Sequence, residues 1–302
     1  MTDNNEQNLG DASSEGRLLP FQLETSVLRG RLVRLDGAMD VILRQHAYPA
    51  PVANLLAEAT ALAAALGSAL KFDGIFTIQA KGDGPITLLV ADVTSDGALR
   101  AYAQFDEAKL AVHPAGASLL GQGNLVFTVD QKLGEERYQG IVALEGDSLT
   151  EAFQAYFRQS EQIPTGLLVA ARQDAGGAWH AGCLMVQQMP REGGTDVCTD
   201  TSAEDDWRRT MMLMQTCTPL ELTDPTLAGE DLLFRLFHQE GVRAFEPKTF
   251  RHECRCSRER LASLLAGMDK AELKELAIEG KIDVTCQFCS KVYRFAEDEF
   301  LG

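Results

Sequence analysis

Positive charge is scarce in this chain. Its 302 residues hold 28 Lys and Arg against 44 Asp and Glu, a formal net charge of −16. Such a field repels phosphate backbones and argues against duplex nucleic acid as a main partner. No secretory leader is expected either: residues 1–19 are polar and acidic (Asp3, Glu6, Asp11, Glu15), with no basic start and no apolar run. The longest apolar stretch, Leu55–Leu70, is interrupted by Glu58, Thr60 and Gly67 and reads as too short and too polar for a bilayer, so no membrane partner is expected. There is no P-loop, GxSxG or HExxH motif, and no triad or carboxylate dyad stands out, so no enzyme is expected. The turns Gly82-Asp-Gly84 and Gly121-Gln-Gly123 lack the helix-opening context of a phosphate cradle.

What the chain does have is cysteine in a pattern. Cys254-Arg-Cys256 is followed, after 29 residues, by Cys286-Gln-Phe-Cys289. A closely spaced pair lets two thiolates hold one ion without straining the backbone. Two such pairs supply the four sulfurs that suit tetrahedral Zn²⁺. Zn²⁺ is therefore the expected cofactor, with Cys254, Cys256, Cys286 and Cys289 as ligands. Zinc thiolates can also be oxidised to disulfides, which would release the metal. A thioredoxin-like reading fails because Cys289 runs into strand-like sequence and no βαβ unit precedes it. Lys248, Arg251, Arg255, Arg258 and Arg260 form a local basic stretch that could offset a tetrathiolate site. His252 is the histidine nearest the cysteines, but four sulfurs already fill a tetrahedron. Cys183, Cys198 and Cys217 lack partners at ligand spacing and receive no metal role. Seven cysteines without a leader point to a reducing cytoplasm.

The pattern along the chain indicates an α+β fold. Residues 1–19 read as a disordered extension. An N-terminal α+β domain with antiparallel sheet is expected over 20–188, with one strand over 21–33, helices over Val41–Arg44 and Pro51–Leu70, and then hairpins from Phe72 onward. Ser148 reads as the cap of a helix running to Phe157. A helical linker is expected over 189–249. In it Trp207, Met211, Met214 and Cys217 make one stripe, and Leu233, Leu236 and Phe237 another. Met212, Leu213, Leu232 and Phe234 lie off those stripes, as if the helices needed cover on more than one side. The last segment, 250–302, has about 50 residues, too few for a self-sufficient core, so zinc is read as its staple.

These residues resemble the heat shock protein 33 family. The likeness is densest at Phe250-Arg-His-Glu-Cys254-Arg-Cys256-Ser-Arg-Glu-Arg260 and Cys286-Gln-Phe-Cys289, with Tyr293 and Phe295 following. It includes Leu232-Leu-Phe-Arg-Leu-Phe-His238, Tyr138-Gln-Gly-Ile-Val142, Tyr156-Phe157 and Ser160-Glu-Gln-Ile-Pro-Thr165. The resemblance implies a cytosolic holdase, dormant with zinc when reduced and active once the four cysteines are oxidised. Contour length favours Cys254–Cys256 and Cys286–Cys289 disulfides over bridges across the 29-residue gap, and the resemblance points the same way. Candidate client-binding residues are Trp207, Met211, Met212, Leu213, Leu232 and Phe234. Expected partners are unfolded or aggregation-prone proteins, with a homodimer on oxidation. The rival reading is a constitutive zinc-stapled interaction module without a redox switch. A truncation near Gln188 is expected to fold by itself.

Overall fold

The structure, a computed structural model, describes residues 15–26, 28–131, 137–144, 148–189 and 201–301. It opens with an antiparallel hairpin, β1 (Glu15–Leu23) and β2 (Leu28–Arg34), where the sequence suggested one strand over 21–33. Residues 15–19, expected within the polar extension, are the first half of β1; residues 1–14 lie outside the described residues. Alternation explains the start: Gly16, Leu18 and Pro20 fall on one side of the pleat, Arg17, Leu19 and Phe21 on the other. Helices α1 (Gly37–Arg44) and α2 (Ala50–Ala69) follow.

Next come β3 (Gly74–Gly82), β4 (Ile86–Thr94) and β5 (Ala98–Phe105), the short α3 (Glu107–Ala111), then β6 (Gly123–Gln131) and β7 (Tyr138–Ala143). Helix α4 (Leu149–Tyr156) starts at Ser148, whose hydroxyl accepts from the Glu151 N–H as expected of a cap. Strands β8 (Thr165–Gln173) and β9 (Trp179–Gln188) form the next hairpin. The linker region supplies α5 (Thr201–Gln215), α6 (Pro219–Leu222), α7 (Gly229–Phe237), and then two strands the sequence reading missed, β10 (Val242–Ala244) and β11 (Lys248–His252).

The large sheet has 11 strands, ordered β7-β6-β3-β4-β5-β11-β1-β2-β9-β8, with β10 added beside β1. Strand β11 runs antiparallel to β1 and parallel to β5, so it joins two antiparallel halves. The expected boundary at 249/250 therefore falls inside a strand of this sheet. A truncation at Gln188 would remove the joining strand, which revises the expectation that it folds unperturbed. The fold is α+β, as the sequence indicated.

Helix α2 runs across the inner face and is apolar nearly all round, with Val52, Leu56, Leu62 and Leu66 buried among alanines that let strands approach closely. At 20 residues it is long and apolar enough to cross a membrane, contrary to the sequence reading, which began the run at Leu55. Its burial makes it a core helix. The β1-β2-β9-β8 half is covered on its other face by α5–α7, so β9 is buried along almost its whole length instead of alternating.

Candidate metal centre and its docking surface

The last 50 residues fold around a small separate core of Leu265, Leu273, Ile282, Tyr293 and Phe295. Helix α8 (Arg258–Ala266) is capped by Ser257 and α9 (Lys270–Leu276) by Asp269, whose side chains accept from the Arg260 and Ala271 N–H groups. Strands β12 (Lys281–Thr285) and β13 (Val292–Ala296) pair antiparallel, and α10 (Asp298–Leu301) closes the chain. Cys286 and Cys289 sit in the loop joining β12 to β13. There the Cys286 N–H donates to the Lys291 carbonyl and the Ser290 N–H to the Cys286 carbonyl, each at 2.9 Å. Cys254 and Cys256 lie between the end of β11 and the start of α8.

All four sulfurs come within 4.8 Å of one another. The separations are 3.4 Å for Cys254–Cys256, 3.7 Å for Cys254–Cys286 and 3.5 Å for Cys256–Cys289. Four sulfurs about 2.3 Å from a zinc ion at a regular tetrahedral angle would stand about 3.8 Å apart, so the donor set and its spacing fit that ion. The four thiols are half-buried. Burial raises the Cys254 and Cys289 thiols. It raises Cys256 too, but hydrogen bonds from Tyr293 and the neighbouring thiols outweigh it and bring Cys256 down to about 7. Tyr293 donates its hydroxyl to the Cys256 sulfur at 3.2 Å. His252 stands outside the sulfur cluster, its Nε2 3.4 Å from the Gln45 amide nitrogen. Three of the five basic residues pair with carboxylates, Arg251 with Asp96 and Glu253, Arg255 with Asp92 and Arg258 with Glu299, while Arg260 donates to the Arg255 carbonyl.

The cysteine loop is docked on the large sheet. The Phe288 ring lies under the Arg100 guanidinium at 3.8 Å and edge-on to Tyr102 at 4.7 Å. Ser290 donates to the Gln45 carbonyl at 2.9 Å, and His46 Nε2 is 3.2 Å from the Phe288 carbonyl. From the other cysteine pair, Arg255 donates to Asp92 Oδ1 at 2.7 Å, while Arg100 Nε reaches both Asp92 oxygens at 3.0 and 3.2 Å. Asp92 is only 2% exposed. The Arg255 Nε and Nη1 groups are buried without a partner among the described residues. Sequence reasoning missed Asp92, Arg100, His46 and Gln45. One signal was available: a lone carboxylate inside the apolar run Ile86–Val93 must find a cation once buried.

The sequence profile described as Hsp33 protein matches residues 16–296. The chain belongs to the Hsp33 family. It is 40% identical over 284 residues to a 33 kDa chaperonin of Caulobacter vibrioides, covering 91% of this chain and 92% of that one. It is 39% identical over 277 residues to the 33 kDa chaperonin of Azotobacter vinelandii, with 91% and 90% covered. The fold resembles the crystal structure of the 33 kDa chaperonin, heat shock protein 33 homolog, from Thermotoga maritima. That match has a TM-score of 0.78 at 24% identity and covers 95% of this chain and 96% of the other.

In this Hsp33 family member the linker helices lie flat on the sheet. Met214, Cys217, Leu222, Leu233, Leu236 and Phe237 pack against Leu19, Phe21, Leu23, Leu32, Leu184 and Val186. Leu232 is fully buried with them, whereas Met212 is 57% and Phe234 64% exposed. Trp207, Met211 and Leu213 are half-buried at the edge of the same cluster. The helices thus bury one broad face each, not several sides as the sequence stripes suggested. Gly182 marks the closest approach: a Cβ there would lie 2.7 Å from the Leu222 carbonyl oxygen. Buried Arg34 donates to the carbonyls of Leu222 (3.1 Å), Glu221 (2.8 Å) and Leu227, and Arg172 donates to the Thr223 carbonyl at 3.1 Å. Burial lowers the Arg34 guanidinium, and Asp36 and Asp224 offset part of that. Cys183 is buried in β9, where burial pushes its thiol up to about 12, and Cys217 is pushed up to about 11 by burial and Glu221. Cys198 lies outside the described residues.

Proposed function

We propose that this chain is a redox-regulated holdase chaperone of the cytoplasm, held inactive by Zn²⁺ on Cys254, Cys256, Cys286 and Cys289. The observation that carries the reading is the four-sulfur cluster of near-tetrahedral spacing at the centre of a module with very little core of its own. Zinc, when bound, supplies a cross-link worth about 10–16 kcal/mol of apparent folding free energy at neutral pH. That is as large as the whole stability of a typical domain, about 5–15 kcal/mol.

Oxidation takes two electrons from each sulfur pair, and with peroxide as acceptor each disulfide formed releases two waters. The sulfurs then no longer serve as thiolate ligands, and the small module loses its staple. Within the folded cluster the Cys254–Cys286 and Cys256–Cys289 contacts, at 3.7 and 3.5 Å, are within 0.3 Å of the 3.4 Å of Cys254–Cys256. Chain connectivity therefore decides the pairing as the module loosens, and Cys254–Cys256 and Cys286–Cys289 are the disulfides proposed. Unfolding of the module withdraws Phe288 from Arg100 and Arg255 from Asp92. It also frees the chain on the C-terminal side of β11, two residues before Cys254. Loosening of β10, β11 and the linker helices then uncovers Leu19, Phe21, Leu32, Leu184 and Val186. With Met211, Leu213 and Leu232 these form an apolar face for unfolding clients. Trp207 lies at its edge, and Met212 and Phe234 are already open to solvent. No nucleotide motif is present, so ATP takes no part. Homodimerisation on oxidation belongs to the same proposal.

The test is zinc content and aggregation suppression measured on one sample, before and after peroxide with mild heating. Suppression that appears together with zinc loss supports the switch. Suppression already present in reduced, zinc-loaded protein and unchanged by oxidant would favour the constitutive interaction module instead.

A further inference from the structure

The stretches Tyr138–Val142, Tyr156-Phe157 and Ser160–Thr165 take no part in the cysteine centre, yet the fold brings them together. Their Tyr138, Tyr156, Phe157, Glu161 and Ile163 line a cavity of about 430 Å³ near the C-terminal end of α2. Leu66 and Ala69 of α2, Leu70 just after it, and the rings of Phe76, Phe127 and Phe153 line it as well. Phe127 meets Tyr156 edge-on at 4.6 Å, and the bare Cα of Gly140 makes room for the Phe127 ring, since a Cβ would sit 2.0 Å from it. The volume and the apolar lining are those of a small-molecule site.

Two features give the cavity chemical selectivity. Glu161 accepts hydrogen bonds from the Tyr138 hydroxyl, at 2.9 Å, and from the Tyr156 hydroxyl. It is presented by a π-helical turn, Phe157–Glu161, and followed by Gln162 in the left-handed region at φ 54°. Both conformations are uncommon and concentrate at functional sites. Arg29 and Arg31, two residues apart on β2 and so on one face, also line the cavity. Neither has an ion pair or a side-chain hydrogen bond among the described residues. Burial, with the like charge of Arg29, brings the Arg31 guanidinium down to about 10. An unpaired, partly desolvated cation beside an apolar cavity is unfavourable until an anion sits on it.

We propose that this cavity binds an amphipathic carboxylate, its alkyl or aryl body among the aromatic rings and its carboxylate on Arg29 and Arg31. The tyrosine-bound Glu161 carboxylate repels the ligand's charged end and so sets its direction. The site is built wholly from elements before residue 190 and does not depend on metal or on cysteine oxidation.

Decanoate is a suitable probe, titrated calorimetrically below micelle formation into full-length, reduced, zinc-loaded protein. Decanol and decyltrimethylammonium serve as neutral and cationic comparators. Decanoate should bind 1:1 and at least tenfold more tightly than either. In Arg29→Gln/Arg31→Met its affinity should fall at least tenfold while that of decanol stays unchanged. Ala69→Phe, which fills the cavity and leaves both arginines, should weaken decanoate and decanol together; its folding is checked by thermal melting, and Leu70→Trp replaces it if it does not fold. Absence of saturable 1:1 binding, equal affinity for all three probes, or full decanoate affinity in the double arginine variant would each overturn the proposal. Because the cysteines stay reduced throughout, such a failure leaves the redox reading untouched.

Discussion

Replacing Asp92 by Asn should undock the cysteine module without touching a single sulfur. The carboxylate is almost wholly buried and serves two guanidiniums, Arg100 through both oxygens and Arg255 through one. Removing one partner of a buried ion pair costs about 3–5 kcal/mol, because a charge is left behind unpaired. The remaining docking contacts are few. The Phe288 cation–π contact and the Tyr102 edge contact are worth about 0.5–2 kcal/mol each. The hydrogen bonds to Gln45 and His46 contribute about 0.5–1.5 kcal/mol each. A loss of about 3 kcal/mol thus rivals everything else at the interface and raises the undocked population about 100-fold. Arg255 can then swing into water, so the variant should undock and not unfold globally. Hydrogen exchange on reduced, zinc-loaded protein reads this directly. Protection should drop in peptides spanning 44–48 and 286–292, zinc content should stay at wild type, and peroxide should oxidise the cysteines faster. Wild-type protection in both peptides, with a wild-type oxidation rate, would refute the coupling.

Other consequences can be checked in parallel. Metal analysis of reduced protein should give one Zn²⁺ per chain, and Cys254→Ser/Cys286→Ser should give close to none; full retention in that variant would exclude the site. Gly182→Ala should push the Leu222 carbonyl away and loosen α6 at a cost of about 1–3 kcal/mol, read as more apolar-dye binding by reduced protein; unchanged dye binding would show the linker is not held there. Cys183 should resist alkylation at pH 8 until the protein is denatured, because burial keeps its thiol neutral; modification of native protein would contradict its packing. Asp96 is held down to about 2, first by the Thr94 hydroxyl and then by Arg251 on β11. A depressed carboxyl stabilises the fold above its ordinary value and loses that contribution as pH falls from about 4 toward 2. Asp96→Ala should therefore flatten the acid dependence of β11 protection in that window, by a modest amount because the pair is exposed.

A chain ending at Gln188 lacks β11 and the cover over Leu19, Phe21, Leu184 and Val186. It should bind apolar dye and self-associate regardless of oxidant, and a monomer that binds no dye would speak against the apolar face.

The cysteine centre was legible because metal chemistry demands residue types at short spacings, and those spacings are local. The hairpin β3–β4, the helix opened by Ser148 and the α+β class were legible for the same reason: alternation, caps and turns act over a few residues. The β1–β2 hairpin was misread as one strand because Ser26 and its neighbours give only a weak turn signal between two apolar runs. Strand β11 was missed because nothing in Lys248–His252 announces that β1 and β5 leave a gap for it. The width of the buried face on α7 also escaped the pattern: Leu232 is covered and Phe234 is not because of where β1 and β2 lie beneath them. The sequence by itself determined that four sulfurs could share one ion, since ligand spacing is a property of the chain. Only the tertiary structure decided what that ion would be mechanically connected to. Asp92, Arg100 and Phe288 are far apart in the chain, and their partnership exists only where burial makes an unpaired charge too costly to leave alone.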